Sequence, residues 1–79
     1  MTVQVKLFAL LRKYHPGPNR SAPLSLALAE GSTVADVIAV LTLPAEVVRA
    51  SFVNGERLPS DTVLREGDLV SLFSAVVGG

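Results

Sequence analysis

Val3, Val5 and Leu7 alternate with Gln4, Lys6 and Phe8. A period of two predicts a strand with one buried face. Phe8 falls on the opposite face, where a purely solvated surface needs no aromatic ring. It is read either as part of an exposed docking patch or as packed under the loop 9–21. Residues 9–14 predict one or two helical turns. Pro16, Gly17, Pro18, Asn19, Ser21 and Pro23 are a dense set of turn formers and predict a loop over 16–23. Leu24, Leu26 and Leu28 then alternate with Ser25, Ala27 and Ala29, a second strand that reads as the return arm of a long-looped hairpin.

Glu30 and Gly31 interrupt that strand, and Ser32 or Thr33 can cap a helix. Asp36 stands three residues after Thr33, the spacing of a capping box with Asp in place of Glu or Gln. Val34, Val37, Ile38 and Leu41 follow at i, i+3, i+4 and i+7, one face of a helix over 34–41. Leu43 precedes Pro44, which disfavours helix at the residue before it, and Pro44 can open a short turn through Val48. Ser51, Phe52 and Val53 predict a short strand. Asn54-Gly55 is the preferred pair for a type I′ hairpin turn, with 56–58 as the return strand before Pro59. A turn or 3₁₀ segment over 61–64 is expected to place Val63 and Leu64 inward, and Glu66, Gly67 and Asp68 form a tight turn. The nearly continuous apolar run 69–73 predicts a central strand buried on both faces. The order is strand, strand, helix, short strand, short strand, central strand. It is satisfied by an α+β fold in which a mixed sheet of four to five strands packs on one main helix. The first and last strands then lie parallel, joined by a crossover containing the helix.

Composition narrows the function classes. The chain has 79 residues, 49% hydrophobic and 18% charged, which fits one folded domain rather than disorder. Residues 1–73 are expected to form it, with 74–79 a flexible C-terminal tail. No cysteine is present, so disulfides, thiolate metal sites and a catalytic thiol are excluded. Seven basic residues balance seven acidic ones, and their scatter carries no footprint for nucleic acid or an acidic membrane. No signal peptide pattern opens the sequence, no apolar run approaches the 20 or so residues of a membrane span, and a cytoplasmic location is expected.

Conventional catalytic chemistry is missing. His15 is the sole histidine, and with no cysteine or second histidine beside it no metal site is expected. Glu66 and Asp68 flank a turn glycine, with nothing nearby to separate two carboxyl pKa values for acid–base work. There is no Gly-rich phosphate loop and no Gly-x-Ser-x-Gly elbow. Arg12 and Arg65 are read as solvated charges, or as partners for acidic groups on another protein. What stands out is the end of the sequence: Ser74, Ala75, Val76, Val77, Gly78 and Gly79. Glycine is the costliest residue to order, and a diglycine without Cβ atoms can thread a narrow channel. Six extended residues reach about 20 Å, enough to carry a terminal carboxylate into another protein's active site.

The chain resembles the ubiquitin-like sulfur carriers, namely the small subunit of molybdopterin synthase and the thiamine-pathway sulfur carrier. The resemblance rests on Val5, Lys6, Leu7, Phe8 and Ala9 with Leu11 and Arg12, on Gly31 through Asp36, on Val53, Asn54 and Gly55, on Leu64 with Glu66, Gly67 and Asp68, on Leu72 and Phe73, and on Gly78 and Gly79. It implies a β-grasp (ubiquitin-like) fold. It also implies that an E1-like adenylating enzyme uses ATP to form an acyl-adenylate on Gly79. A sulfur donor then displaces AMP and leaves a thiocarboxylate. The large subunit of molybdopterin synthase, or thiazole synthase in the thiamine branch, accepts the tail. The carrier itself is not catalytic and binds no cofactor. On this resemblance Gly79 is the reactive residue, while Gly78, Val77, Val76, Ala75, Phe73 and Phe8 contact the partner. Phe73 also reads as ordinary core at a strand end. Leu7, Phe8 and Ala9 followed by Leu11 and Arg12 look molybdopterin-type. Ser74 and Ala75 stand where that branch commonly carries proline, and Ala75-Val76 is closer to the thiamine type. The molybdopterin branch is the reading adopted. The alternatives are a thiazole sulfur carrier, a ubiquitin-like protein modifier, or an interaction module whose tail is incidental.

Overall fold

The opening alternation forms a strand as read. In the computed structural model, which describes residues 1–75, β1 spans Thr2–Phe8 with Val3, Val5 and Leu7 buried. A 3₁₀ helix follows at Ala9–Tyr14, burying Leu11. The turn-rich segment leads to β2, Leu24–Ala27, antiparallel to β1. His15 organises the loop between them. The Gly17 N–H donates to its Nδ1 at 2.9 Å, which leaves the Nε2–H to donate to the Ala22 carbonyl at 2.9 Å.

Helix α1 is Val34–Val40 and turns Val34 and Val37 into the core. The capping box is present in full. The Thr33 N–H donates to an Asp36 carboxylate oxygen at 2.8 Å, and the Asp36 N–H donates to the Thr33 hydroxyl at 3.3 Å. Both otherwise orphaned donors are met by one residue pair. Thr33→Ala is expected to cost about 1 kcal/mol of stability, read as a lowered urea midpoint at unchanged m-value.

The second half departs from the sequence reading in places. Strand β3 is Val48–Val53, three residues longer at its start than expected. The turn after Pro44 forms as read, with Val47 N–H to Pro44 O and Val48 N–H to Ala45 O, and the strand starts on its last residue. An irregularity between Val48 and Ala50 then breaks the alternation that would have revealed the strand. Asn54 and Gly55 turn with φ of 53° and 86°, as a type I′ hairpin requires, into the two-residue β4, Glu56–Arg57. Val63 does not point inward. It is 60% exposed while Leu64 is 2% exposed. Val63 sits in an extended bridge to Thr33, where successive side chains face opposite ways, so one of the pair had to point out.

Strand β5, Leu69–Ser74, runs one residue past the expected end. It is central in the order β2-β1-β5-β3-β4, parallel to β1 and antiparallel to β3. It is not buried on both faces. Val70, Leu72 and Ser74 are buried, while Leu69, Ser71 and Phe73 are half-buried, because α1 covers only one face. The core joins Val3, Val5, Leu7, Leu11, Val34, Val37, Leu43, Val53, Leu64, Val70 and Leu72 on that face. This is a β-grasp, ubiquitin-like architecture. Among the described residues, no helix is long and apolar enough to cross a membrane.

Candidate aromatic docking face and tail root

A mixed sheet with helix on one side leaves its other face to be accounted for. In register, Phe8 lies beside Phe73, and Ala50 lies on the far side of Phe73. The side chains opposite the core therefore include Lys6 and Phe8 from β1, Ser71 and Phe73 from β5, and Phe52 from β3. The rings of Phe8 and Phe73 stack with centroids 4.3 Å apart and planes 6° from parallel. Phe52 meets Phe73 edge-on at 5.4 Å and 71°. Lys6 Nζ lies 5.5 Å from the centre of the Phe8 ring, and the Arg12 guanidinium carbon 6.0 Å from it. All three phenylalanines are half-buried. They cover one another and still present ring surface, the mixture of aromatic anchor and cationic rim that protein interfaces favour.

Phe8 therefore belongs to the open sheet face, where Arg12 of the 9–14 helix also reaches its ring. Phe73 is not in the core cluster on the helix side. The two rings lie together on that face. Strand β1 ends there, level with Phe73 and one residue before the end of β5, so the aromatic stack stands immediately before Ser74 and Ala75. Ala75 is exposed. Val76, Val77, Gly78 and Gly79, the remaining expected site residues, lie outside the described residues.

Ser74 is the part of this region that sequence reasoning missed. It was read as the first residue of the tail, yet it is a strand residue, 6% exposed. Its hydroxyl accepts the Leu10 N–H at 2.9 Å and donates to the Ala75 carbonyl at 3.2 Å. The available signal was its position two residues after Leu72, in phase with Val70.

The other polar candidates have structural partners. Asp68 accepts from Asn54 Nδ2 at 2.9 Å and from the Arg65 N–H at 2.8 Å. Glu66 accepts the Thr2 N–H at 2.9 Å. Asn54 Oδ1 takes the Leu69 N–H at 2.9 Å. These bonds lash the two tight turns to the sheet. A separate groove of about 760 Å³ opens between α1 and the β3–β4 edge, lined by Ile38, Leu43, Val48 and Leu58 together with Arg49 and Arg57. Among the described residues no group of three or more His, Cys, Asp or Glu side chains could hold a metal ion.

Comparison with known proteins bears on what this surface serves. SAMP1 from Haloferax volcanii aligns over 100% of both chains with a TM-score of 0.78 at 24% identity. The Pyrococcus furiosus protein assigned as subunit 1 of a molybdopterin converting factor aligns over 95% of this chain and 98% of its own, with a TM-score of 0.71 at 26% identity. A chain from the complex of subunits 1 and 2 of the Helicobacter pylori molybdopterin-converting factor aligns over 100% of both chains, with a TM-score of 0.62 at 23% identity. The first and third likenesses establish the fold. A comparison with curated proteins found no significant match. The model of the ThiS family matches residues 5–79, nearly the whole sequence and its diglycine, and on that match the chain belongs to the ThiS family of ubiquitin-like sulfur carriers.

Proposed function

We propose that this carrier is activated at Gly79 and delivers sulfur in molybdopterin biosynthesis. One observation supports the delivery role above the others. The strand that leads toward the diglycine also carries Phe73, the centre of the aromatic cluster on the helix-free face. A partner that grips this face holds the start of the arm at a fixed place, and the arm is then presented at high effective concentration.

The chemistry follows from what the chain lacks. At neutral pH a terminal carboxyl is ionised and is a poor electrophile. An E1-like adenylating partner supplies ATP. A carboxylate oxygen of Gly79 attacks the α-phosphorus, pyrophosphate leaves, and an acyl-adenylate forms. A sulfur donor at the sulfide oxidation level attacks the carbonyl carbon, AMP leaves, and the thiocarboxylate remains. The chain contributes the arm and the face that positions it, and every acid, base and nucleotide contact belongs to the partners. The similarity to the Pyrococcus furiosus protein assigned as subunit 1 of a molybdopterin converting factor supports the molybdopterin branch, with that enzyme's large subunit as acceptor. Thiazole synthase is the acceptor in the alternative branch.

Intact mass spectrometry tests this reading. After incubation with ATP, an adenylating enzyme and a sulfide source, the chain is expected to exchange one oxygen for sulfur at Gly79. A molybdopterin synthase large subunit is then expected to return it to the carboxylate as the pterin precursor gains sulfur. Conjugates to lysines of other proteins in place of a thiocarboxylate would establish a protein modifier.

A further inference from the structure

The helix-facing positions of β5 are Val70, Leu72 and Ser74, all buried. A hydroxyl continues an apolar series only at a cost unless it is fully bonded. Ser74 is bonded on both sides, and both partners lie where chain direction is decided. On one side, β1 ends at Phe8, level with Phe73 and one residue before the end of β5. Ala9 then adopts a φ of 56°, a left-handed conformation unfavourable for a residue with a Cβ. That turn begins the 3₁₀ helix, and the N–H of Leu10 meets the Ser74 hydroxyl at 2.9 Å. On the other side, the same hydroxyl donates to the Ala75 carbonyl at 3.2 Å. That oxygen belongs to the peptide group joining Ala75 to residue 76. Holding it fixes the carbonyl of Ala75, the last described residue before the arm. Strained backbone that persists because its surroundings hold it is a mark of functional positions.

We infer that Ser74 is a positioning residue for the activation reaction. It ties Leu10 to Ala75 and thereby aims the C-terminal arm relative to the aromatic face. The inference rests on the sulfur-carrier reading for its role in activation, while the tie itself does not. A docked partner contacts Phe8, Phe73 and their neighbours, and the arm must then place one carboxylate at one phosphorus. An arm leaving at a fixed angle samples that position more often than one leaving freely, and productive geometry is worth orders of magnitude in rate. Removal of the hydroxyl therefore leaves docking in place and lowers the rate of the step that follows it.

The test uses the full chain as wild type, Ser74→Ala and Ser74→Thr. First, the ¹H–¹⁵N heteronuclear NOE is measured at the Leu10 and Ala75 amides. In Ser74→Ala both are expected to fall while those of Ser71 and Leu72 stay at wild-type values, and Ser74→Thr is expected to restore them. Second, ATP–pyrophosphate exchange is measured with an adenylating enzyme as a function of carrier concentration. Ser74→Ala is expected to keep KM within about twofold and lose about tenfold in kcat, with kcat recovered in Ser74→Thr. A merely structural role would leave kcat unchanged once folding is matched. Unchanged NOE values in Ser74→Ala, or an unchanged kcat beside fallen ones, overturn the inference. A wild-type chain that supports no exchange with any adenylating enzyme defeats the carrier reading instead, and the NOE comparison still decides whether the tie exists.

Discussion

Deletion of Gly78 and Gly79 is expected to abolish activation, with at least a 100-fold loss of pyrophosphate exchange, while the melting temperature stays within about 2 °C of wild type. Stability and activation separate because they draw on different residues. The core on the helix side runs from Val3 to Leu72, and the sheet ends at Ser74. The shortened chain still ends in a carboxylate, now on Val77. Its reach falls by about 7 Å, and a β-branched side chain stands where two residues without Cβ atoms stood. Binding through the aromatic face is therefore kept and the chemical step is lost. Adding one residue after Gly79 is expected to have the same effect from the other direction, since the reactive carbonyl becomes an amide. Thermal melts and exchange assays on the same samples check both halves. A marked drop in melting temperature would place the diglycine in the fold, and near-normal exchange would show that reach does not limit the reaction.

The second large effect is expected on the open face of the sheet. Phe8→Ala and Phe73→Ala should each weaken binding of the adenylating enzyme by about 30-fold, roughly 2 kcal/mol. The stacked pair at 4.3 Å acts as one anchor, so the double variant should fall short of the summed losses. Lys6 and Arg12 lie at the edge of the same ring, and raising the salt concentration is expected to slow association more than it speeds dissociation. Part of each loss must be separated from stability, because a half-buried ring also holds the sheet. Its removal should lower folding stability by about 1 kcal/mol, and titrations well below the melting point isolate the binding term. Calorimetry with the adenylating enzyme and with a molybdopterin synthase large subunit reads the result. Affinities unchanged for both would move the docking surface elsewhere on the domain, the groove beside Ile38 and Leu58 being the next surface to examine.

These two effects and the Ser74 tie divide the work of the tail region. On the proposed function, the diglycine is assigned reach and passage, the phenylalanines grip, and Ser74 direction. Several other polar groups of the domain hold turns. Asn54 and Asp68 bind the hairpin to the 65–68 turn, Glu66 holds the start of β1, and His15 gathers the loop before β2.

What the sequence determined by itself was local. The period of two in β1, the capping box at Thr33 and Asp36, and the Asn54-Gly55 turn each depend on contacts within a few residues, and each appears in the structure as read. The order of elements indicated a mixed sheet on one helix, and the resemblance carried by motifs from Val5 to Gly79 indicated the β-grasp fold and its family. Tertiary structure decided what depended on distant neighbours. Strand β3 begins at Val48 because β5 extends to Ser74 and offers it a partner, a fact that no window around Pro44 contains. Val63 points outward because its extended bridge to Thr33 leaves only one inward position, which Leu64 takes. The placement of Phe8 is decided by parallel pairing, which sets it against Phe73, 65 positions away in the chain. Ser74 falls in the tail by sequence because the apolar run 69–73 ends at Phe73. Only the arrival of Leu10 from the end of β1 gives that hydroxyl a partner and makes its burial favourable.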